Sequence, residues 1–560
     1  MKIKDIFLRL MVIILIIFIT ANPSLRAQNV VDATSLNNKT MAGYQGWFRT
    51  PGDRDDNKSW AHLFNKNLTR PGFDSWPDMS EYSKQEKTPV PGFTYPDGSQ
   101  AYLYSAQNPQ VVLLHFQWMK KYGIDGVWLS EFCNHFPGGS QQYDSTTVLT
   151  IMKNVRAAAT ATGRTWAFMW DMSGFGPRTS KRDVYHIIIN QWKKMVDEGV
   201  TSDPRYLHHN GKPVLLIWGF FPDRPASQPD YMDPVIDFLQ SPGKYQATLV
   251  AGVDDKWREG TPAFQAMLMR MTALQPWSVG RRLVDPATGY EVPDTTKWAA
   301  DIAKCKANHV IFIPVINPGT HIAGPPPIPP KLPTVPRRMG NYLWEQFVAA
   351  SKTGVINSVF VAMFDEINEG TQIMKVTNYP PTQFPFLTYH GARSDYYLRL
   401  VGVGGKMLKE HIPIPDVIPI SPFDAAKWYK IKNKASGLAL SAKNKRDIKL
   451  SPFQTSGSGK GADWQLLYNG NGYFKMRNRL SGKFLEGLDN GRVIMNADGK
   501  LVNSMWHFEW DGTGDCHIIN RGTGKALLNN DVLKNPAVMQ GPDSKDSDNI
   551  RWQIIAPYSN

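Results

Sequence analysis

Between about residues 40 and 375, short apolar runs alternate with longer stretches whose apolar positions recur at helical spacing. The runs at 41–48, 126–132, 165–170, 213–218, 247–253, 273–279, 310–315 and 358–364 have the length of strands. The helical stretches lie at 109–121, 145–162, 184–198, 233–239, 262–269, 296–307 and 340–353. Eight strand–helix units predict an α/β domain, a (β/α)8 or TIM barrel. The other arrangement of such units is an open doubly wound sheet, but the first strand–helix turn carries no glycine-rich phosphate loop. A proline-rich insertion at 324–330, with Pro333 and Pro336, reads as a stiff loop on the barrel rim. A second such stretch, 412–419, reads as a linker between domains.

After residue 424 short strands and turns replace helices, and the chain repeats itself. Tyr429-Lys430-Ile431-Lys432-Asn433 leads to Ser436-Gly437-Leu438-Ala439-Leu440, Phe474-Lys475-Met476-Arg477-Asn478 to Ser481-Gly482-Lys483-Phe484-Leu485, and His517-Ile518-Ile519-Asn520 to Thr523-Gly524-Lys525-Ala526-Leu527. Each unit closes on a tryptophan: Trp464, Trp506 and Trp552. One such unit cannot bury its own apolar face, so three predict an internally threefold all-β domain. The expected organisation is a leader at 1–27, a barrel at 28–410, a linker at 411–423 and the threefold domain at 424–560. The linker predicts that the barrel folds and works without the residues after 420.

The leader is basic at Lys2 and Lys4, apolar from Leu10 to Ile19 and rich in small residues before Ala27, which predicts a secretory signal peptide cleaved near Ala27 and a secreted or periplasmic protein. No later segment is long and apolar enough to span a membrane. The formal charge is +14 for 560 residues; the leader holds four basic residues and one acid, leaving about +11 after cleavage. No basic helix or nucleic-acid motif accompanies that charge, so nucleic acid is not an expected partner. Three cysteines, Cys133, Cys305 and Cys516, exclude a disulfide framework and leave open one bridge between Cys133 and Cys305. His208-His209 stands alone, no Cys/His cluster has zinc spacing, and neither a metal nor a cofactor is expected.

Candidate chemistry collects at the predicted strand ends, where a barrel places its functional residues. Trp47-Phe48 ends the first strand, Glu131 the second, Trp170-Asp171 the third, Trp218 the fourth and Asp254 the fifth; Trp277 lies in the sixth. The last strand runs into Phe364-Asp365-Glu366-Ile367-Asn368-Glu369-Gly370-Thr371. Two carboxylates at one strand end are what glycoside hydrolysis requires. Indole faces beside them suit the C–H faces of sugar rings; the plainer reading, that Trp170 and Trp218 plug the barrel mouth, leaves the acids beside them unexplained. A barrel that binds glycans without cleaving them is the competing reading.

The stretches Gly43–Phe48, Trp60-Ala61-His62, Trp76-Pro77-Asp78, His115–Gly126, Trp170–Gly174, Pro276–Gly280 and Phe364–Thr371 resemble the glycoside hydrolase family 71/99-like barrels. In the family 99 endo-α-mannosidases the strand-eight motif carries two catalytic glutamates at this spacing, which the resemblance transfers to Glu366 and Glu369. It implies retention through the sugar 2-hydroxyl, with Glu366 ionised as base on that hydroxyl. Glu369, its pKa raised, would be acid on the leaving group and then base on water. Tyr44, Trp47, His62, Glu131, Trp170, Asp171, Trp218, Asp254, Trp277 and Asp365 are expected to bind substrate, a polysaccharide or glycan. Asp365 and Ile367 stand where family 99 has Asn and Trp, which bears on mannose specificity and leaves xylosidase, arabinosidase and α-1,3-glucanase relationships open. Residues 424–557 resemble ricin-type β-trefoil lectin domains. The family's Gln-x-Trp glutamines are here Ala462, Ser504 and Ile550, and its acids are Ser441, Glu486 and Leu528, so Glu486 is the candidate lectin residue.

Overall fold

The computed structural model describes residues 30–54, 57–64, 70–140, 145–321, 335–454, 459–530, 537–541 and 547–557. The expected leader and the proline run at 324–330 lie outside the described residues.

The main strands of the N-terminal sheet are β1 (Thr40–Tyr44), β2 (Gly126–Phe132), β3 (Thr165–Asp171), β4 (Lys212–Phe220), β5 (Thr248–Val253), β6 (Ala273–Pro276), β7 (Ile311–Phe312), β8 (Val315–Ile316) and β9 (Val359–Val361). These nine pair in parallel, in the order β7-β6-β5-β4-β3-β2-β1-β9-β8, and His208–His209 forms a short strand antiparallel to β4. Only Ile313 and Pro314 separate β7 from β8. The two ends of the sheet therefore meet in one run of chain, and the sheet curls into a (β/α)8-like domain. Pro314 has no N–H to give, but its carbonyl accepts from Phe360 N at 3.0 Å.

The helices are α1 (Pro109–Tyr122), α2 (Ser145–Thr162), α3 (Lys181–Asp197), α4 (Pro229–Gln240), α5 (Pro262–Leu268), α6 (Trp298–Ala307), α7 (Asn341–Lys352) and α8 (Tyr396–Lys409). α1 starts as its sequence dictates: the Asn108 side chain accepts from Gln110 N, and Pro109 fills the first position. α8 is absent from the helices the sequence pattern picks out, because Gly402, Gly404 and Gly405 interrupt it. Packing requires them: a Cβ on Gly405 would lie 2.3 Å from Thr40 Oγ1 of β1.

The C-terminal domain is a separate antiparallel sheet, twelve-stranded among the described residues. Its three units are equivalent in detail. Trp464, Trp506 and Trp552 are fully buried and donate through Nε1 to the carbonyls of Leu440, Leu485 and Leu527 at 2.8, 2.9 and 2.9 Å. Asn433, Asn478 and Asn520 each accept at Oδ1 from the backbone three residues on, at 3.1, 3.1 and 3.0 Å.

The segment between the domains lies against both of them. Pro415 O accepts from Trp344 Nε1 at 2.8 Å, and Ile418 O from Tyr468 Oη at 2.7 Å. Phe423 is buried against Tyr429, Phe474 and Phe508. Cys133, Cys305 and Cys516 are all free and buried, so no bridge joins Cys133 to Cys305.

Candidate active site

Parallel strands alternate their side chains between lumen and helix layer. Phe360 of β9 faces the lumen, where its ring lies 6.4 Å from Trp128 and 6.0 Å from Trp277; Trp277 in turn meets Trp218 at 5.3 Å. Beyond this aromatic floor β9 leaves the sheet and delivers three acids.

Asp365 is tied down by the loop after β1. Its oxygens accept from Gln45 N at 2.9 Å and Gly46 N at 2.8 Å. Burial pushes its carboxyl up to about 6, against the pull of those two N–H groups. Glu366 is buried and held at both oxygens: Gln45 Nε2 donates to Oε1 at 2.9 Å and Thr371 Oγ1 to Oε2 at 2.6 Å. Glu369 is half-buried one turn on. Its backbone carbonyl accepts from His321 N at 2.8 Å, and behind it Asp74 and His321 form a buried pair, Nδ1 to Oδ2, at 2.8 Å. Asp74 N is itself bound to Ile367 O at 3.0 Å. Gly370 turns the chain with φ +65°, and any Cβ there would meet His321 N at 2.5 Å.

Both glutamates are shifted toward the protonated form. Burial and then the Glu369 charge push Glu366 up to about 8; burial and then the Asp74 charge raise Glu369. The two interact, so their protonation belongs to the pair rather than to either residue alone. The expectation that Glu366 simply stays ionised is at odds with its enclosure: it is the more buried of the two. Its anion is nonetheless provided for by the Gln45 and Thr371 donors.

The remaining expected residues divide. Trp218 and Trp277 are half-buried at the lumen, and Asp171, level with Trp218 across β3 and β4, shares their face. Asp171 accepts from Ser173 N at 2.6 Å, and burial raises it to about 6. Trp47 stacks on His62 at 4.4 Å and on Phe132 at 6.2 Å, nearly parallel to both. Glu131 alternates to the other face from Trp128. It lines a cavity of about 50 Å³ with Gln45, Trp47, His62 and residues of α2, and burial alone pushes it up to about 8. That is room for water rather than for a sugar ring.

Two residues, Trp170 and Tyr44, lie apart from the lumen. Trp170 is buried in the helix layer, edge-on to Trp192 of α3 at 5.9 Å. Tyr44 is fully buried, with its hydroxyl 2.9 Å from His115 Nδ1, while Tyr82 Oη occupies the other ring nitrogen at 2.8 Å. Asp254 is engaged by Arg281 at 3.2 Å and by Lys256 N at 2.9 Å. In the C-terminal domain Glu486 is buried and accepts from Asn496 Nδ2 at 2.5 Å. Sequence reasoning did not nominate Gln45, Thr371, Asp74 or His321. Gln45 and Thr371 lie inside the quoted motifs, so position in a motif was the available signal; Asp74 and His321 carried none.

No protein-family model matches the chain, and no curated protein sequence matches it. Among solved structures it is similar to a glycoside hydrolase family 99 endo-α-mannosidase from Bacteroides thetaiotaomicron in complex with bis-tris propane, with TM-score 0.47 and 16% identity over 67% of this chain and 98% of that one. A second structure of the family 99 enzyme from that organism gives TM-score 0.46 and 17% identity over 67% and 99%. A designed threefold-symmetric protein, ThreeFoil, gives TM-score 0.21 and 26% identity over 23% and 97%.

Proposed function

We propose that the protein is a secreted glycoside hydrolase, family 71/99-like, that cleaves a polysaccharide or glycan with retention, and that its C-terminal domain is a lectin-like β-trefoil. The observation that carries this reading is the Glu366–Glu369 pair. It sits at the C-terminal end of the last barrel strand, both carboxyls raised by burial, with one oxygen of Glu366 under the Gln45 amide and the other under the Thr371 hydroxyl. In its ionised form Glu366 takes the proton of the sugar 2-hydroxyl as that oxygen attacks the anomeric carbon. Glu369 gives its proton to the departing glycosidic oxygen. Water then opens the three-membered intermediate at the anomeric carbon, losing its proton to Glu369, while Glu366 returns its proton to the 2-oxygen. The enzyme ends as it began. Trp218 and Trp277 offer faces for the ring, and Asp171 an acceptor for its hydroxyls.

The test is hydrolysis of α-mannans, α-glucans, xylans and arabinans by wild type, Glu366→Gln and Glu369→Gln. Losses of about 10²–10⁴-fold in both variants are expected. Glu369→Gln should spare the first step for substrates with good leaving groups, and Glu366→Gln should not. A wild type that binds one of these glycans without cleaving it would establish the binding-protein reading instead.

A further inference from the structure

Arg337 directly follows Pro336, the last proline after the proline-rich insertion, yet it reaches the catalytic turn. Its Nη2 donates to Gly370 O at 2.8 Å and to Gln372 O at 2.7 Å. The residue between those two carbonyls is Thr371. Thr371 O accepts from Met363 N at 3.1 Å, and Thr371 Oγ1 donates to Glu366 at 2.6 Å. A hydroxyl has one proton to give, and here its direction is set by a backbone gripped on both flanks by one guanidinium.

The guanidinium is itself fixed. It lies over the rings of Tyr397 at 4.5 Å and Tyr389 at 5.2 Å. Its segment is anchored where Thr320 and Val335 pair through two backbone hydrogen bonds of 3.0 Å. From the other side, Gly512 of the C-terminal domain packs so closely on Pro336 that a Cβ there would lie 2.7 Å from it. The arrangement exceeds what two carbonyls need for satisfaction, since water or an amide would serve them.

We propose that Arg337 is a positioning residue of this site: by holding the carbonyls on both sides of Thr371, it fixes the hydroxyl that supports the Glu366 anion. This rests on the reading of Glu366 as the base. Removing Arg337 should let the 370–372 turn relax and withdraw the Thr371 donor. A donor to the ionised form lowers a carboxyl pKa, so its loss raises it.

Arg337→Met should therefore lower kcat about tenfold or more with KM nearly unchanged, and move the acid limb of the kcat/KM pH profile to higher pH. Thr371→Val should move that limb the same way. The double variant should go no further than either single one, because the two act in series. Arg337→Lys, which keeps a donor, should recover part of the loss. The Glu366 carboxyl midpoint can also be read without turnover, by carbon-13 NMR of glutamate-labelled protein with Glu366→Gln as the assignment control; it should rise in both single variants. An acid limb and midpoint unmoved in Arg337→Met, or shifts that add in the double variant, would overturn the proposal. If Arg337→Met fails to fold, the Arg337→Lys and Thr371→Val midpoints decide it. An inactive wild type defeats the hydrolase reading alone, since the midpoint measurement stands without it.

Discussion

The Glu366 carboxyl is raised first by burial and second by the Glu369 charge. Replacing Glu369 with Gln removes the second cause and leaves the first. On an activated aryl glycoside, the acid limb of the kcat/KM profile of Glu369→Gln should therefore move to lower pH than in wild type, while staying above the ordinary carboxylate range. An unmoved limb would mean that the two carboxyls do not sense each other. Glu131 offers a test in stability. Its folded-state pKa of about 8 exceeds the unfolded value of about 4.5, so the folded protein keeps a proton that the unfolded chain releases. Stability then falls as pH rises from about 4.5 to about 8, by up to about 1.4 kcal/mol per unit. Glu131→Gln cannot titrate, so it should match wild type near pH 4.5 and melt higher than wild type near pH 8. Equal pH dependence of the two melting curves would place the cost elsewhere. At this scale the presence of acids and indoles at the strand ends was legible in the sequence, since residue type and strand periodicity can be read directly. Their partners were not: Asp74, His321 and Arg337 reach the site from loops far apart in the chain, and no local pattern marks a side chain that will be brought in by closure of the sheet. Trp170 and Tyr44 show the converse, since a strand-end position does not say which face a ring takes.

Elements were legible where apolar runs matched paired strands, as at 126–132, and less so where the runs continue past the ladder, as at 273–279 and 358–364. There the extra apolar residues line the rim or its turns instead of extending the sheet. One predicted strand at 310–315 proved to be two short ones, because Pro314 interrupts the donors between β7 and β8. α8 was hidden for a different reason. Its glycines lower helix propensity but allow it to approach β1 and its neighbours closely, a tertiary demand that overrides the local one. Gly405→Ala tests this. Propensity alone favours alanine by up to about 1 kcal/mol, whereas overlap with Thr40 should reverse the sign and destabilise by about 1–3 kcal/mol. Urea unfolding reads the difference, and a stabilised variant would show that α8 can shift away.

At the scale of the whole molecule, the threefold repeat was legible because it is written three times, and the two-domain division because composition changes at 424. The coupling between the domains was not, since prolines describe a stiff chain and not what it lies against. With Trp344, Tyr468 and Phe423 engaged across the junction and Gly512 on Pro336, deletion of the residues after 420 should lower the melting temperature of the barrel. It should also reduce kcat/KM on small soluble glycosides as well as polymers. A truncated protein impaired on polymers alone would show that the barrel is indifferent to its neighbour.

The three units of the C-terminal domain share their buried tryptophan and asparagine hydrogen bonds, yet the position after Leu440, Leu485 and Leu527 is Ser441 in one, Glu486 in the next and Leu528 in the third. Symmetry in the scaffold thus coexists with a single carboxylate among three matched places. Anything recognised through that carboxylate is engaged once per molecule, so the gain in effective concentration that repeated sites confer on a polymer is absent. A partner held there would leave at the rate of a single contact.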